Sequence, residues 1–471
     1  MRKIYCLLFN LIYVKLCLAY LIFPFKTRFP QIPEIDKNIT ALFRSIVDNH
    51  IFIELEIGTP KQTIEVFLRS DTTDFYISDK NKNDEKTSNP SPYIYDVGSD
   101  LNNFFDKHES TSLEITKEVI NNNIYPGGIL IGNVSFDNLY FINNKKETSN
   151  AKTKFILYQS TFGYMPGVIG LGAVLEQEEK EYNLIEQLKT NDIINSYFWM
   201  INYTSDYEGN FIIGEQPHII DPEYFKKDKL SFSYPFLYDD FYDWGLAFDS
   251  ITFNGINLKQ FHDSTFNYEL NYIKGSLELE KLLDIYFNNF ILNGTCFKET
   301  IKYPYSPNIF FYCDKNLYKN NIKYFPPLKF YQYEFNFTFE LNYKDLFIEK
   351  NNKYILMVFF DDKKFDWYFG KPFLRKYSFS MNQDTKIIGF YKQPENNNDS
   401  NNNKNKKDNL IFGTKSTIIL FISLTICVII LLLLSGIFLG RYIYRNKKTK
   451  KNVLEEDFDY TAKKDEGIIN E

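Results

Sequence analysis

Residues 51–78 read IFIELEIGTPKQTIEVFLRSDTTDFYIS. Two runs of alternating or β-branched residues, Ile51 to Ile57 and Thr63 to Leu68, flank Gly58-Thr59-Pro60, the pattern of two strands joined by a tight turn. The same kind of run recurs at Phe211 to Ile213, Ala247 to Phe253, Tyr354 to Phe360 and Ile387 to Tyr391, broken by Gly, Asn, Asp and Pro. Apolar spacing of three and four residues is clear only in Tyr182 to Leu188 and Leu277 to Phe290, so two minor helices are expected on a β scaffold. No period of 20 to 50 residues is visible, which excludes solenoids and propellers.

The 471 residues suffice for two lobes with real cores, and 46 Phe and 36 Tyr supply ample apolar area to bury. A formal net charge of −6 offers no basic footprint, so nucleic acid is excluded as a partner. The ends of the chain carry addressing signals. Met1-Arg2-Lys3, an apolar run and Cys17-Leu18-Ala19 read as a signal peptide over residues 1–19. Ser416 to Gly440 is 25 residues without a charge, long enough to span a bilayer as one transmembrane helix. The basic residues Arg441, Arg445, Lys447, Lys448, Lys450 and Lys451 follow at once and belong on the cytoplasmic side. The expected topology is single-pass type I in the secretory pathway, at the plasma membrane or a secretory organelle membrane.

Cysteine use agrees with export. Cys6 and Cys17 fall in the signal peptide and Cys427 in the span, leaving Cys296 and Cys313 to pair in an oxidising compartment. Sequons at Asn38, Asn133, Asn202, Asn293 and Asn336 are glycosylation candidates. Residues 395–415, which include ENNNDSNNNKNKKDN, read as a flexible stalk. The expected order is signal peptide 1–19, N-terminal extension or vestigial prosegment 20–47, N-terminal β-rich lobe 48–225, C-terminal β-rich lobe 226–394, stalk 395–415, transmembrane helix 416–440 and cytoplasmic tail 441–471.

Four segments in order resemble the pepsin-like aspartic proteases. They are Ile57-Gly58-Thr59-Pro60-Lys61-Gln62, Gly167-Val168-Ile169-Gly170-Leu171-Gly172, Trp244 to Gly255 (WGLAFDSITFNG), and Trp367-Tyr368-Phe369-Gly370 with Phe373-Leu374-Arg375-Lys376-Tyr377 and Ile388-Gly389-Phe390. The resemblance covers nearly all of residues 48–392 and implies an all-β, bilobal fold with a few short helices and a substrate cleft between the lobes. It also implies one aspartate per lobe, in a D-T/S-G loop. Two such carboxylates share a proton, and together they activate a water and protonate the developing oxyanion.

Here those loops are degenerate. Eleven residues after Gly58, and seven before Tyr76, the first aspartate position holds Arg69 in Arg69-Ser70-Asp71-Thr72-Thr73. A guanidinium stays protonated and cannot act as a general base. Counting from Gly255 puts Glu269 at the second position, whereas aligning on Gly275-Ser276 puts Ile273 there. The flap is altered too, with Thr116-Lys117-Glu118 following Leu113-Glu114-Ile115 where the family has Tyr-Gly. No catalytic residue of the usual kind is therefore expected, and an Arg69–Glu269 ion pair would occupy the old dyad. The alternative is a working endopeptidase with a non-standard dyad involving Asp71.

His50, His108, His218 and His262 have no metal-ligand spacing, so no metal is expected, and no phosphate loop or serine-hydrolase elbow appears, so no cofactor is expected either. The expected function is that of a membrane-anchored pseudoprotease binding a protein or peptide partner on the lumenal or outer side. A structural or adhesive ectodomain is a third reading.

Overall fold

The computed structural model describes residues 20–28, 39–47, 50–80, 104–124, 128–142, 148–158, 166–174, 181–235, 244–259, 263–302, 307–361 and 367–392. The chain divides into two compact units, Met1–Pro394 and Glu395–Glu471, and every described residue lies in the first. The signal peptide, stalk, transmembrane segment, tail and Asn38 fall outside the described residues. Among those described, no helix is long and apolar enough to cross a membrane.

The structure is β-rich. Strands β1 (Leu21–Arg28), β2 (His50–Ile57), β3 (Gln62–Arg69), β4 (Phe75–Ser78), β5 (Glu114–Ile124), β6 (Gly128–Ile142), β7 (Thr148–Tyr158), β8 (Gly167–Gly170), β9 (Phe198–Tyr203), β10 (Glu208–Ile213) and β11 (Leu230–Ser233) come first. β12 (Gly245–Ala247), β13 (Ser250–Phe253), β14 (Ile256–Asn257), β15 (Asp263–Phe266), β16 (Ile273–Lys274), β17 (Cys296–Lys302), β18 (Pro307–Asp314), β19 (Leu328–Gln332) and β20 (Phe337–Leu341) follow. The last are β21 (Phe347–Lys350), β22 (Lys353–Leu356), β23 (Val358–Phe359), β24 (Trp367–Phe369), β25 (Phe379–Asn382) and β26 (Ile387–Tyr391).

Thirteen strands form one sheet in the order β11-β26-β25-β9-β10-β1-β2-β3-β8-β4-β7-β6-β5. Strands β25 and β26 thus return to pair beside β9, and the second half adds three smaller sheets of five, four and four strands. The two halves repeat one pairing pattern. β3 runs parallel to β8, which is antiparallel to β4, which is parallel to β7. In the second half β15 is parallel to β24, β24 antiparallel to β16, and β16 parallel to β23.

Aromatic residues fill the second half: Phe330, Phe339, Trp367, Phe369, Phe373 and Phe379 are all at most 1% exposed. The rings of Phe369 and Phe373 stack at 4.3 Å. Such rings bury large apolar areas and add pairwise attraction. The two expected helices are Leu184–Thr190 and Leu277–Leu292. The first starts at Asn183, whose side chain accepts from the amides of Ile185 and Glu186; the second starts at Ser276, which accepts from Leu279.

A further helix, α1 (Ile39–Val47), departs from the expectation of two. Its nine residues are too few to be stable alone. Packing supplies what length does not: Leu42, Phe43 and Ile46 are buried against Phe310, Tyr312, Ile355, Met357 and Phe359 of the second half. The strand-like reading of Ile22 to Lys26 corresponds to β1, which lies inside the main sheet between β10 and β2.

Cys296 and Cys313 face each other in the β17–β18 ladder and are joined in a disulfide. Their sequence separation is 17, and closing a loop of that length should contribute about 3 kcal/mol. Replacing both by alanine is expected to lower the guanidinium unfolding midpoint accordingly. An unchanged midpoint would mean that the ladder alone holds this hairpin.

Candidate functional site

Two loops are brought together by the repeated pattern. In the first, β3 ends at Arg69 opposite Gly170, and residues 70–74 turn back into β4. The loop crosses so close to β8 that a Cβ on Gly170 would lie 2.3 Å from the Thr73 carbonyl carbon, and only glycine admits that approach. Backbone bonds hold it there: Leu171 N donates to Arg69 O at 2.7 Å, Gly172 N to Thr72 O at 2.8 Å and Gly170 N to Asp74 O at 2.9 Å. The second loop is built alike. A Cβ on Gly370 would lie 2.2 Å from Tyr272 O and 2.3 Å from Leu270 O.

The ladders fix which residues correspond. Phe75 faces Ile169 and Leu68 faces Ile169 across the other side of β8; Ile273 and Phe266 face Phe369 in the same way. One residue beyond Leu68 stands Arg69, and one beyond Phe266 stands Asn267. The second position therefore holds Asn267, which corrects both Glu269 and Ile273. The count from Gly255 overshoots by two because it crosses the loop between β14 and β15. The Gly-Ser anchor fails because Ile273 belongs to β16 and is fully buried there.

Asn267 is committed to its loop. Its Oδ1 accepts from Glu269 N at 2.9 Å and Leu270 N at 3.2 Å, an Asx-turn arrangement. The glycine position of each loop carries an acid instead, Asp71 in the first and Glu269 in the second. The three ionic groups meet. Arg69 Nε donates to Asp71 Oδ1 at 2.8 Å, its Nη2 donates to Asp71 Oδ2, and Arg69 Nε lies 3.4 Å from Glu269 Oε1. Arg69 and Glu269 thus face each other, as the sequence reading anticipated, with Asp71 as the closer partner. The Arg69 side chain is 10% exposed, that of Glu269 14% and that of Asp71 32%.

The electrostatics follow from this geometry. Desolvation opposes ionisation of Asp71, but the Arg69 charge and hydrogen bond, with a further hydrogen bond from Glu269, outweigh it and hold the carboxyl below the usual aspartate range. His50, at the start of β2, is pushed down to about 4, first by burial and then by the Arg69 charge, with Asp71 acting in opposition. Its ring meets Phe67 edge to face at 5.7 Å. The floor between the loops therefore holds a fixed cation, two acids and a neutral imidazole.

The remaining candidates lie apart. Asn133 is within β6, where its Nδ2 donates to Thr116 O, and Asn202 is within β9, where its Oδ1 accepts from Ser378 Oγ. Asn293 and Asn336 are exposed, the former capping Leu277–Leu292 and the latter in a turn at φ 44°. The strand expected to form the flap continues to Ile124 and pairs with β6, with a register shift between Ile115 and Val119. Its turn, residues 125–127, lies outside the described residues. Sequence counting missed Asn267; the signal that finds it is the internal likeness of Gly170 and Gly370.

His50 carries a pH dependence with a definite sign. Its folded pKa of about 4 is below the unfolded 6.5, so the stability from keeping it neutral is complete above about pH 6.5 and is lost as pH falls towards 4. The loss over that window is about 3 kcal/mol. Asp71 acts at lower pH: its contribution is present above the unfolded aspartate value and disappears as pH falls through the depressed folded one. Urea unfolding between pH 7 and 4 is expected to show a shallower loss in His50→Gln than in the native chain. Equal slopes would refute the assignment.

Residues 50–267 match a family model described as eukaryotic aspartyl protease. No curated protein matches the chain. Among 385 matching chains of solved structures is basic 7S globulin from soybean, with a TM-score of 0.54 and 11% identity, covering 79% of this chain and 95% of that one. At that identity the likeness speaks for the fold. The repeated loops, the glycines they wrap and the family match over residues 50–267 make the fold similar to that of the pepsin-like aspartic proteases.

Proposed function

We propose that the chain is a membrane-anchored, proteolytically inactive pepsin-like protein that works by binding a protein or peptide partner on the lumenal or outer side. One observation carries the reading: the two positions that correspond across the loops hold Arg69 and Asn267, neither of which can share or exchange a proton as a carboxylate pair does. Asp71 and Glu269 are bound to the Arg69 guanidinium, an arrangement that supports a fixed link between the loops. The anchor rests on the uncharged stretch Ser416 to Gly440 and its basic flank.

A second reading has its own support. Glu269 makes a hydrogen bond to Asp71, so a carboxyl pair does exist, displaced by two residues in each loop. An aspartic endopeptidase could run on that pair if Arg69 released it.

The test is acid-range cleavage of a mixed peptide library by the full chain, with and without pepstatin. No cleavage is expected from the native chain or from Asp71→Ala. Restoring the loops with Arg69→Asp, Asp71→Gly, Asn267→Asp and Glu269→Gly together should bring pepstatin-sensitive cleavage. Cleavage by the native chain that is lost in Asp71→Ala would overturn the proposal and establish the second reading.

A further inference from the structure

The helix Leu277–Leu292 ends in a closed turn. Gly294, one past the C-cap Asn293, takes φ 73°, a left-handed form that glycine adopts without strain, and Thr295 N donates back to Phe290 O at 2.8 Å. Thr295 N is shared with Asn293 Oδ1 at 3.1 Å, so the asparagine closes over its own backbone in an Asx turn. Asn293-Gly294-Thr295 is a sequon, the acceptor pattern for an N-linked oligosaccharide in an exported chain. The turn occupies only Oδ1: among the described residues, Asn293 Nδ2 and Thr295 Oγ1 make no hydrogen bond. It also stands clear of the fold, for Asn293 and Gly294 are exposed and a Cβ on Gly294 would meet nothing within 4 Å.

The other described sequons are placed differently. Asn133 lies inside β6, opposite Val119 on one side and Leu157 on the other; its Nδ2 donates to Thr116 O at 3.2 Å, and Ser135, which completes the sequon, is fully buried. Asn202 lies inside β9 opposite Asn210, with Oδ1 accepting from Ser378 Oγ at 3.3 Å. Asn336 is exposed between β19 and β20 but makes no Asx turn among the described residues. The surface at Asn293 is apolar, with Leu292 77% exposed and Leu317 59%. Two bonds link Leu317 to the sequon: Asp314 N donates to Thr295 O at 2.9 Å, and Leu317 N donates to Asp314 Oδ1 at 3.2 Å. The faces of sugar rings carry C–H groups, and laying them over exposed leucines takes apolar surface out of water.

We propose that Asn293 carries an N-linked oligosaccharide that covers Leu292 and Leu317, and that the folded chain carries none at Asn133; this rests on the reading of the chain as exported. In the transfer, Asn293 Nδ2 attacks the anomeric carbon of an oligosaccharide held on a polyprenyl pyrophosphate, the donor that an oligosaccharide transferase of the secretory pathway would supply. The N–C bond forms as the C–O bond to the pyrophosphate breaks, the lipid pyrophosphate leaves with the bonding electron pair, and Nδ2 gives up one proton to a base of the transferase. Transfer acts on the chain as it emerges, so the fold decides which modified chains survive. A sugar at Asn293 projects from an open turn, whereas one at Asn133 would crowd the β5–β6–β7 ladder.

The experiment is peptide mass spectrometry of the full chain, produced in a eukaryotic secretory host and purified folded. Asn293 should be modified and Asn133 bare, and Asn293→Gln should lose one oligosaccharide. Thr295→Ala, which keeps the asparagine and removes the hydroxyl of the sequon, should lose the same one, so the test survives a failure of either variant to fold. Asn293→Gln should bind more of a fluorescent apolar dye than the native chain, and adding Leu292→Ser and Leu317→Ser should cancel the rise. Equal dye binding in the native chain and Asn293→Gln would overturn the covering of the leucines. A folded chain with its signal peptide removed and Asn293 bare, or with Asn133 modified, would overturn the proposal and leave the export reading standing. A chain that keeps residues 1–19 and has no sugar at any sequon would overturn the export reading, and the proposal with it.

Discussion

A guanidinium taken out of water must be met by negative charge, and Arg69 is met from two sides. Asp71 accepts from it in a bidentate grip and Glu269 approaches from the other loop. The dependence is asymmetric. Removing both acids would leave a buried cation uncompensated, which costs far more than the intact pairs contribute. Much nearby chemistry follows from the same charge. It keeps Asp71 ionised and disfavours protonation of His50. The centre that would hold a shared proton in a protease is here a centre of fixed charge.

The two loops also show how backbone constraint outlasts chemistry. Gly170 and Gly370 are each pressed against a loop at distances that exclude any side chain, whatever residues the loop carries. Arg69-Ser70-Asp71 and Asn267-Tyr268-Glu269 carry no aspartate at the two corresponding positions, yet the crossings and the strand pairings around them are intact. The fold needs the glycines for contact; the reaction needed the aspartates for protonation. These are separable demands.

That separation explains what was legible. The fold could be read because Gly58-Thr59-Pro60, Gly167 to Gly172 and Trp367 to Gly370 answer to backbone geometry, which leaves a local mark in sequence. Arg69 could be placed because it sits at a fixed distance from two such marks. Asn267 could not, since the stretch from Gly255 to β15 has a length of its own and no glycine within the loop to anchor a count. The strand pairings supply the register because they compare the second half with the first. The helix Ile39–Val47 was hidden for another reason: it draws its stability from contacts with residues near 310 and 357, which no local window contains.

The place of β1 has a consequence for how the chain reaches its final state. Leu21–Arg28 is the earliest described strand, yet it lies between β2 and β10, and Leu21 pairs with Ile213. During synthesis this segment emerges long before its partner near residue 210. It must wait with one edge bare, and contacts so distant in sequence are slow to close. The earliest described strand is thus flanked on both sides only once β10 has been made, about half-way along the described residues.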